Sequence, residues 1–462
     1  MGSANRGNWA SRLGFILAAA GSAIGLGNIW RFPYVTGKSG GGLFYLTYTV
    51  CVIVVGLPIM VAEVLLGRAT QSSPIVAFRE LSSRRSPWIG VGWMGVITGF
   101  LILSYYSVVA GWTVHYVVLA VRNSFVGQSA DAIGALFGEL VASPGANVGY
   151  HALFMGMTVL VVLGGVSAGI ERWSRILMPA LFLMLIGLMA YCFFLPGFGD
   201  AAAFVFAPHT TSFDASSVLK ALGQAFYSLS LGMGAMLTYG SYLSRDTGIP
   251  KSSVWVAVLD SAIATLASLV VFPITFSFGM QAEAGPGLIF KSIPIAFSQM
   301  TGGYLLSIVF FVLIVFAALT SSISLQEVVT SSFIDLFGWG RRKVCLRTGA
   351  IIFVFGVPSA LLGSEGFFGA GLQKLTGKNF FDWVDYITAN WMLPLGGLLI
   401  AIFTGFVLER SLREEEFRRG TTWGAVYSVW LPLLRYVVPL AVAVVFAQSS
   451  GLLKLFGIDW GS

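Results

Sequence analysis

Apolar stretches long enough to cross a lipid bilayer recur along almost the whole of this chain. Windows of about 19 residues place eleven of them, centred near Ile24, Val54, Val109, Thr158, Leu185, Ser230, Leu266, Phe316, Val354, Leu398 and Ala441. Only 10% of the 462 residues are charged and 56% are hydrophobic, whereas about a quarter of a soluble chain is charged. The sequence therefore predicts an all-α polytopic membrane protein whose function lies among its helices.

The basic residues between the spans predict how the chain is oriented in the membrane. Most of them lie on the side of the amino terminus, among them Arg68, Arg342 and Arg435, and few lie on the other side, such as Arg122. The positive-inside rule then places the amino terminus in the cytoplasm and, with an odd number of spans, the carboxyl terminus outside. The net charge of +7 follows from this bias and does not indicate nucleic-acid binding.

Two spans are interrupted by glycine-rich segments, GSAIGLGN in the first and SLSLGMG in the sixth. They lie five spans apart and therefore run in opposite directions. Interrupted spans at matching positions of two halves point to a substrate site at the bilayer midplane of an inverted-repeat transporter, because freed backbone groups must line a cavity or be buried. A Gly21-x-x-x-Gly25 pair alone is also typical of a close helix–helix contact. Packing, however, does not explain Asn28 and Arg31 in the same span.

Several strings together resemble the neurotransmitter:sodium symporter family, which has the LeuT-type fold. They are NWASRLGFILAAAGSAIGLGNIWRFPY, GGGLFYLTYTVCVIVVGLPIMVAEVLLGR, GQAFYSLSLGMGAMLTYGSYL, FAALTSSISLQEV and, more weakly, DYITANWMLPLGG. The resemblance implies one transmembrane transporter domain over 1–462, with a 5+5 inverted repeat (11–195 and 218–408), discontinuous helices 1 and 6, and an eleventh helix at 436–457. Eleven spans with short loops resemble the bacterial amino-acid branch, which implies the bacterial inner (cell) membrane.

The resemblance also implies how a zwitterionic amino acid would be held. Free amides at a helix break form the positive end of a dipole, and free carbonyls form the negative end. Amides near Ala23 and Gly27 and the Tyr106 hydroxyl would bind the carboxylate. The ammonium would lie against carbonyls of Ala23, Tyr227 and Ser228 and the hydroxyl of Ser230.

The implied side-chain pocket contains no charged residue. Its lining would be Ile102, Tyr106, Tyr227, Met233, Ser321, Ser324 and Leu325. The expected substrate is therefore a hydrophobic or aromatic L-amino acid, and the adaptable thioether of Met233 favours a broad range.

Two co-transported sodium ions are implied as well. The first would bind the Ala23 carbonyl, Asn28, Ser228, Asp260 and the substrate carboxylate. The second would bind carbonyls of Gly21, Ile24 and Ala317 and the hydroxyls of Thr320 and Ser321. All-oxygen sites suit a hard cation, and a substrate that serves as a ligand couples the two binding events. By spacing alone, such hydroxyls are more often expected to bond back to their own helix.

Asp260 places a carboxylate in the middle of an apolar span. Because an ionisable group is costly there, it indicates a functional residue. The resemblance implies an asparagine at this position in chloride-dependent members of the family, where a bound anion supplies the negative charge. The residues of that anion pocket would correspond to Tyr48, Gln224, Ser228 and position 264 of this chain. Ala264 cannot coordinate chloride, so Asp260 would supply the negative charge and transport would be chloride-independent. The alternative is a protonated structural carboxyl.

Gate residues follow from the same resemblance. Arg31 and Asp385 resemble the extracellular pair above Tyr106 and Tyr227, with Asp382 as a rival for Asp385 and a snorkelling interfacial charge as the alternative for Arg31. Arg6 and Asp335 resemble the cytoplasmic pair, with Trp9 and Tyr242 nearby. In the fifth span, nine residues separate Gly169 from Pro179, a spacing that matches a helix-unwinding motif of the family.

The function predicted is sodium-coupled amino-acid symport by alternating access, with the substrate and the lipid bilayer as partners and no predicted oligomeric state. A proton-coupled transporter or exchanger of the same fold that uses Asp260 is the main alternative, and a non-transporting sensor is another. An enzyme is not expected, because His115, His151 and His209 and the three cysteines show no metal-ligand or catalytic spacing.

Overall fold

Helices make up almost all of the chain that the structure describes. The computed structural model describes residues 7–208, 213–280 and 287–449, and over these ranges it contains no β-strand. The helices that form the spans are α1 (Arg12–Ala23), α2 (Gly27–Lys38), α3 (Gly42–Thr70), α4 (Ile89–Val121), α5 (Pro144–Leu163), α6 (Val166–Cys192), α7 (Ala215–Ser228), α8 (Ala235–Gly240), α9 (Ile249–Ser277), α10 (Gly303–Phe337), α11 (Arg341–Ala360), α12 (Phe380–Val407) and α13 (Gly424–Gln448).

Short helices connect these spans. They are Pro74–Leu81, Ala130–Ala142, Phe198–Phe206, Ile293–Gln299, Leu372–Thr376 and Arg410–Arg418. The two longest helices, α4 and α10, pack along each other. The middle of α10 is buried, including the hydroxyl-rich stretch of residues 320–324. The buried polar groups of α10 therefore face the interior of the protein.

Ten of the eleven predicted spans are found as helices of sufficient length and hydropathy. Within the described ranges nine are continuous helices, and the tenth is the pair α1 and α2, which bend by 56° at their break. The sixth predicted span does not qualify, because the glycine-rich segment divides it into α7, with 14 residues, and α8, with 6 residues. The count of eleven spans therefore stays a prediction.

Local backbone geometry ends each half-helix at the predicted breaks. The α1 helix begins at the Ser11 cap, whose hydroxyl accepts from Gly14 N at 2.9 Å, and it ends where Ile24 turns extended (φ −76°, ψ 103°). Between α7 and α8, Ser230, Gly232 and Gly234 all have positive φ. Three left-handed residues within five positions cannot continue a right-handed helix, so the second break is set by the sequence.

The last span begins earlier than predicted. The expected limits were 436–457, but α13 is already helical at Gly424, and residues 450–457 lie outside the described residues. Arg435, taken from the sequence as a loop charge, lies inside the helix. Its Nε donates to the Gly405 carbonyl at 2.6 Å, and its guanidinium lies 5.3 Å from the Phe406 ring. The helix therefore continues through Arg435, whose charge is held by these two contacts.

Candidate substrate and sodium sites

A small cavity lies where the two broken spans meet, and we call it the central cavity. Its lining residues are Ser22, Ala23, Gly25, Leu26, Gly27, Ile102, Tyr106, Tyr227, Ser230, Met233, Ser321 and Leu325. None of these described residues is charged. The cavity volume is about 30 Å³, which is room for about one water molecule. An amino acid would enter it only if side chains such as Met233 moved.

Most of the predicted substrate residues line this cavity, but Ser228 and Ser324 do not. The Ser228 hydroxyl donates to Asp260 at 2.6 Å. The Ser324 hydroxyl is buried between α10 and α1, where it donates to the Ser321 carbonyl at 2.8 Å and accepts from Ser22 at 2.7 Å. Ser324 therefore lies behind the cavity wall, and its predicted contact with the substrate stays a prediction.

Two glycines of the first break leave the space that forms the cavity. A Cβ at Gly25 would lie 2.6 Å from Ser321 Oγ and 3.1 Å from the Tyr106 hydroxyl. A Cβ at Gly27 would lie 2.6 Å from Tyr227 Cε1. The Tyr106 hydroxyl accepts from Leu26 N at 3.5 Å, so the backbone of the break and this tyrosine lie in direct contact.

We expect Gly25→Ala to reduce substrate binding at least about tenfold, because an added methyl group in an already filled space costs about 1–3 kcal/mol. Gly187→Ala is the matched control, since a Cβ there would meet nothing within 4 Å. Binding of radiolabelled amino acids to the purified variants measures the effect. Equal affinities of the two variants would contradict this assignment of the cavity.

Asp260 is fully buried and is held by uncharged donors alone. Asn28 Nδ2 donates to its Oδ1 at 2.7 Å, and the hydroxyls of Tyr48 and Ser228 donate to its Oδ2 at 2.9 and 2.6 Å. In the described ranges no Lys, Arg or His forms an ion pair with it. A buried carboxylate without a counter-charge is costly, so this position requires either a bound cation or a protonated carboxyl.

A second group of oxygens lies where α10 contacts the end of α1. The Ser321 hydroxyl is 3.4 Å from the Gly21 carbonyl and 3.2 Å from the carbonyls of Ser22 and Ile24. Thr320 Oγ1 donates to the Ala317 carbonyl at 3.0 Å. A Cβ at Gly21 would lie 3.1 Å from Thr320 Cβ. The five predicted residues of the second sodium site therefore lie together.

Two residues of the implied anion pocket contact Asp260 directly. Tyr48 and Ser228 both donate to its carboxylate, and Ala264 is fully buried on the same helix. Gln224 Nε2 donates to the Gly27 carbonyl at 3.2 Å. The two hydroxyls that would bind chloride are thus directed at a carboxylate.

A larger cavity of about 480 Å³ adjoins the central cavity through Leu26, Tyr106 and Tyr227, and we call it the outer vestibule. Its lining residues also include Trp30, Arg31, Tyr34, Lys220, Phe381, Asp382 and Asp385. The Arg31 guanidinium lies 4.7 Å from the centre of the Tyr227 ring. Among the described residues Arg31 forms no ion pair within 4.0 Å with Asp382 or Asp385. Both aspartates therefore stay candidates for the gate.

At the opposite end of the bundle, two hydrogen bonds hold Trp9 against α8 and the segment that follows it. Its backbone N donates to the Tyr242 carbonyl at 3.1 Å, and its indole Nε1 donates to the Tyr239 carbonyl at 2.9 Å. Asp335 accepts from Ser73 N at 2.8 Å. Its predicted partner Arg6 lies outside the described residues.

The predicted unwinding motif lies in a continuous helix. Gly169 is part of a widened first turn, Val166–Glu171, and Pro179 lies inside the helix that follows. The structure therefore has this span in its wound form, and the unwinding stays a prediction.

Sequence reasoning missed several buried acidic residues. Glu63 accepts from Gly232 N in the second break at 2.7 Å. Glu327 accepts from the Tyr242 hydroxyl at 2.5 Å and pairs with Arg341. Glu171 contacts the start of the first span. The sequence does show that each of these carboxylates lies in or beside an apolar span, and this position alone could have indicated a buried acidic residue.

The helices broken around a central cavity place this chain among membrane transporters with the LeuT-type fold. The family model described as "Sodium:neurotransmitter symporter family" matches residues 6–131 and 141–452, and the chain belongs to this family.

Known relatives agree with this assignment. The chain is 41% identical over 447 residues to the sodium-dependent transporter YhdH of Bacillus subtilis, covering 96% of this chain and 98% of that protein. It is 33% identical to a sodium-dependent transporter of Haemophilus influenzae, over 96% and 98%. A crystal structure of MhsT in complex with L-phenylalanine matches with a TM-score of 0.86 and 41% identity, covering 96% of this chain and all of that one. The protein is thus a multi-pass, sodium-dependent transporter rather than an enzyme.

Proposed function

We propose that this transporter is a symporter that couples two sodium ions to the import of hydrophobic or aromatic L-amino acids, without chloride. The observation that carries the proposal is the Asp260 carboxylate, which is fully buried beside Asn28 and close to the broken backbone, and which forms no ion pair with a described residue. A sodium ion there would neutralise the charge. Turning the Asn28 amide by half a rotation would present its oxygen to that ion.

The second proposed sodium ion would bind between α1 and α10. Support comes from the carbonyls of Gly21 and Ile24, which converge on the Ser321 hydroxyl. Hard oxygen ligands from two helices suit sodium. An ion there would also hold the first span against α10, which would link ion binding to conformation.

The central cavity supports the proposed substrate class. It lies at the break, where Tyr106 and backbone amides would bind a carboxylate, and Ile102, Met233 and Leu325 give it an apolar wall. The related MhsT was crystallised with L-phenylalanine, which is in line with this class.

Chloride independence is proposed because Asp260 occupies the place of the anion. The Tyr48 and Ser228 hydroxyls already donate to the carboxylate, and Ala264 has no group that could bind chloride. The fixed charge of Asp260 would replace that of the ion.

The remaining predictions complete the proposal. We propose that 11–195 and 218–408 are inverted repeats, and that the protein lies in the bacterial inner membrane with a cytoplasmic amino terminus. The closed contacts of Trp9 and the open outer vestibule would then correspond to a state that faces outward. Arg31 with Asp385 would close the outer side in the alternate state.

Uptake into proteoliposomes tests this proposal. We expect labelled leucine, phenylalanine or tryptophan to accumulate when sodium is higher outside than inside, and not when potassium replaces sodium. Replacing chloride by gluconate should leave uptake unchanged. Uptake that needs only a pH gradient would support the proton-coupled alternative, and binding without net flux would support the sensor.

A further inference from the structure

The α1 and α6 helices lie side by side and contact each other at two glycines of α1. A Cβ at Gly14 would lie 1.9 Å from Oε1 of Glu171, and a Cβ at Gly21 would lie 3.2 Å from Sδ of Met178. In both helices the two contact positions are separated by the same number of residues. The helices therefore run in parallel and in register over about two turns.

The contact at the start of α1 is polar, and its carboxylate comes from a buried residue of α6. Ala10 N donates to Glu171 Oε2 at 2.7 Å, and the Ser11 hydroxyl lies 3.4 Å from Oε1. Arg175 Nη2 donates to both Glu171 Oε1 and Ser11 Oγ at 2.6 Å. Glu171 is only 2% exposed. The carboxylate thus binds the segment that caps α1.

Both contact residues of α6 lie between Gly169 and Pro179, the two ends of the predicted unwinding motif. We propose that Glu171 is a positioning residue that holds the start of the first span against α6 and releases it when this part of α6 unwinds. The proposal rests on the proposed function, since it assigns Glu171 to the step that opens the cytoplasmic side.

The same helix contact links this end of α1 to the proposed second sodium site. Gly21, whose carbonyl would bind the ion, packs on Met178 and on Thr320. Unwinding α6 would withdraw Met178 from Gly21 and Glu171 from Ala10 together. A bound sodium ion would oppose this change, because it holds the far end of α1 in place.

Hydrogen–deuterium exchange on the full-length protein in nanodiscs tests the proposal. In sodium, we expect amides of residues 9–16 and 166–172 to exchange about tenfold faster in Glu171→Ala than in the original protein. Replacing sodium by potassium should raise exchange in the original protein and change little in Glu171→Ala. Glu171→Gln, which keeps an acceptor for Ala10 N, should restore much of the protection.

The control is Arg172→Gln, which changes an exposed charge next to Glu171 that makes no described contact. It should exchange like the original protein in both ions. Unchanged exchange in Glu171→Ala, or faster exchange spread evenly over all helices, would overturn the proposal. Exchange requires no transport, so it can be measured whether or not the protein shows uptake. That function fails separately if the original protein shows no sodium-driven uptake.

Discussion

Replacing Asp260 by asparagine is expected to abolish chloride-free uptake, with a loss of at least about a hundredfold. Without the carboxylate, a sodium ion at the first site would bring an uncompensated positive charge into a low-dielectric interior. A loss of about 2.7 kcal/mol in ion binding corresponds to a hundredfold change. The Asp260→Asn variant would leave Tyr48 and Ser228 without their anionic acceptor, so added chloride should restore part of the uptake.

Asp200→Asn is the matched control for this experiment, because Asp200 is exposed in a short connecting helix. Uptake by both variants is measured in sodium chloride and in sodium gluconate. If Asp260→Asn keeps full sodium-driven uptake in gluconate, Asp260 is a structural carboxyl, and the proposed charge balance is wrong.

The breaks in the first and sixth spans were predicted correctly because they depend on short-range chemistry. Glycine tolerates positive φ, and Gly232 and Gly234 adopt it. The start of the last span differs from its predicted limit for another reason. Arg435 looks like a loop charge in a hydropathy window, but its partners are the Gly405 carbonyl and the Phe406 ring on another helix. Such distant partners are invisible to local patterns.

The same distinction applies to the site. The family motifs located the residues around the break, since their spacing reflects a shared backbone path. Ser324 lies behind the wall because helical rotation turns it toward Ser22. Glu63 and Glu171 were missed because each contacts backbone more than a hundred residues away. In a hydropathy window such a carboxylate only lowers the mean hydropathy, and the window gives no information about its hydrogen-bond partners.

Arg341 is expected to be essential for closing the end of the bundle near Trp9. Glu327 is fully buried, and both of its carboxylate oxygens accept from the Arg341 guanidinium. Arg341 Nε also donates to the Val162 carbonyl at 2.9 Å. Removing one partner of a buried pair costs about 3–5 kcal/mol, because it leaves an uncompensated charge. Arg341→Gln should therefore lower the melting temperature by several degrees and strongly reduce uptake.

The neighbouring Arg342 supplies the control, since it is exposed and forms no described contact. Arg342→Gln should melt and transport like the original protein. The double variant Glu327→Gln with Arg341→Gln removes both charges, so it should recover much of the stability that Arg341→Gln loses. If the double variant is as unstable as the sum of the two single changes, the pair is not coupled. Since Tyr242 also donates to Glu327 and accepts from Trp9 through its carbonyl, recovered stability without recovered uptake would assign the pair to the gate itself.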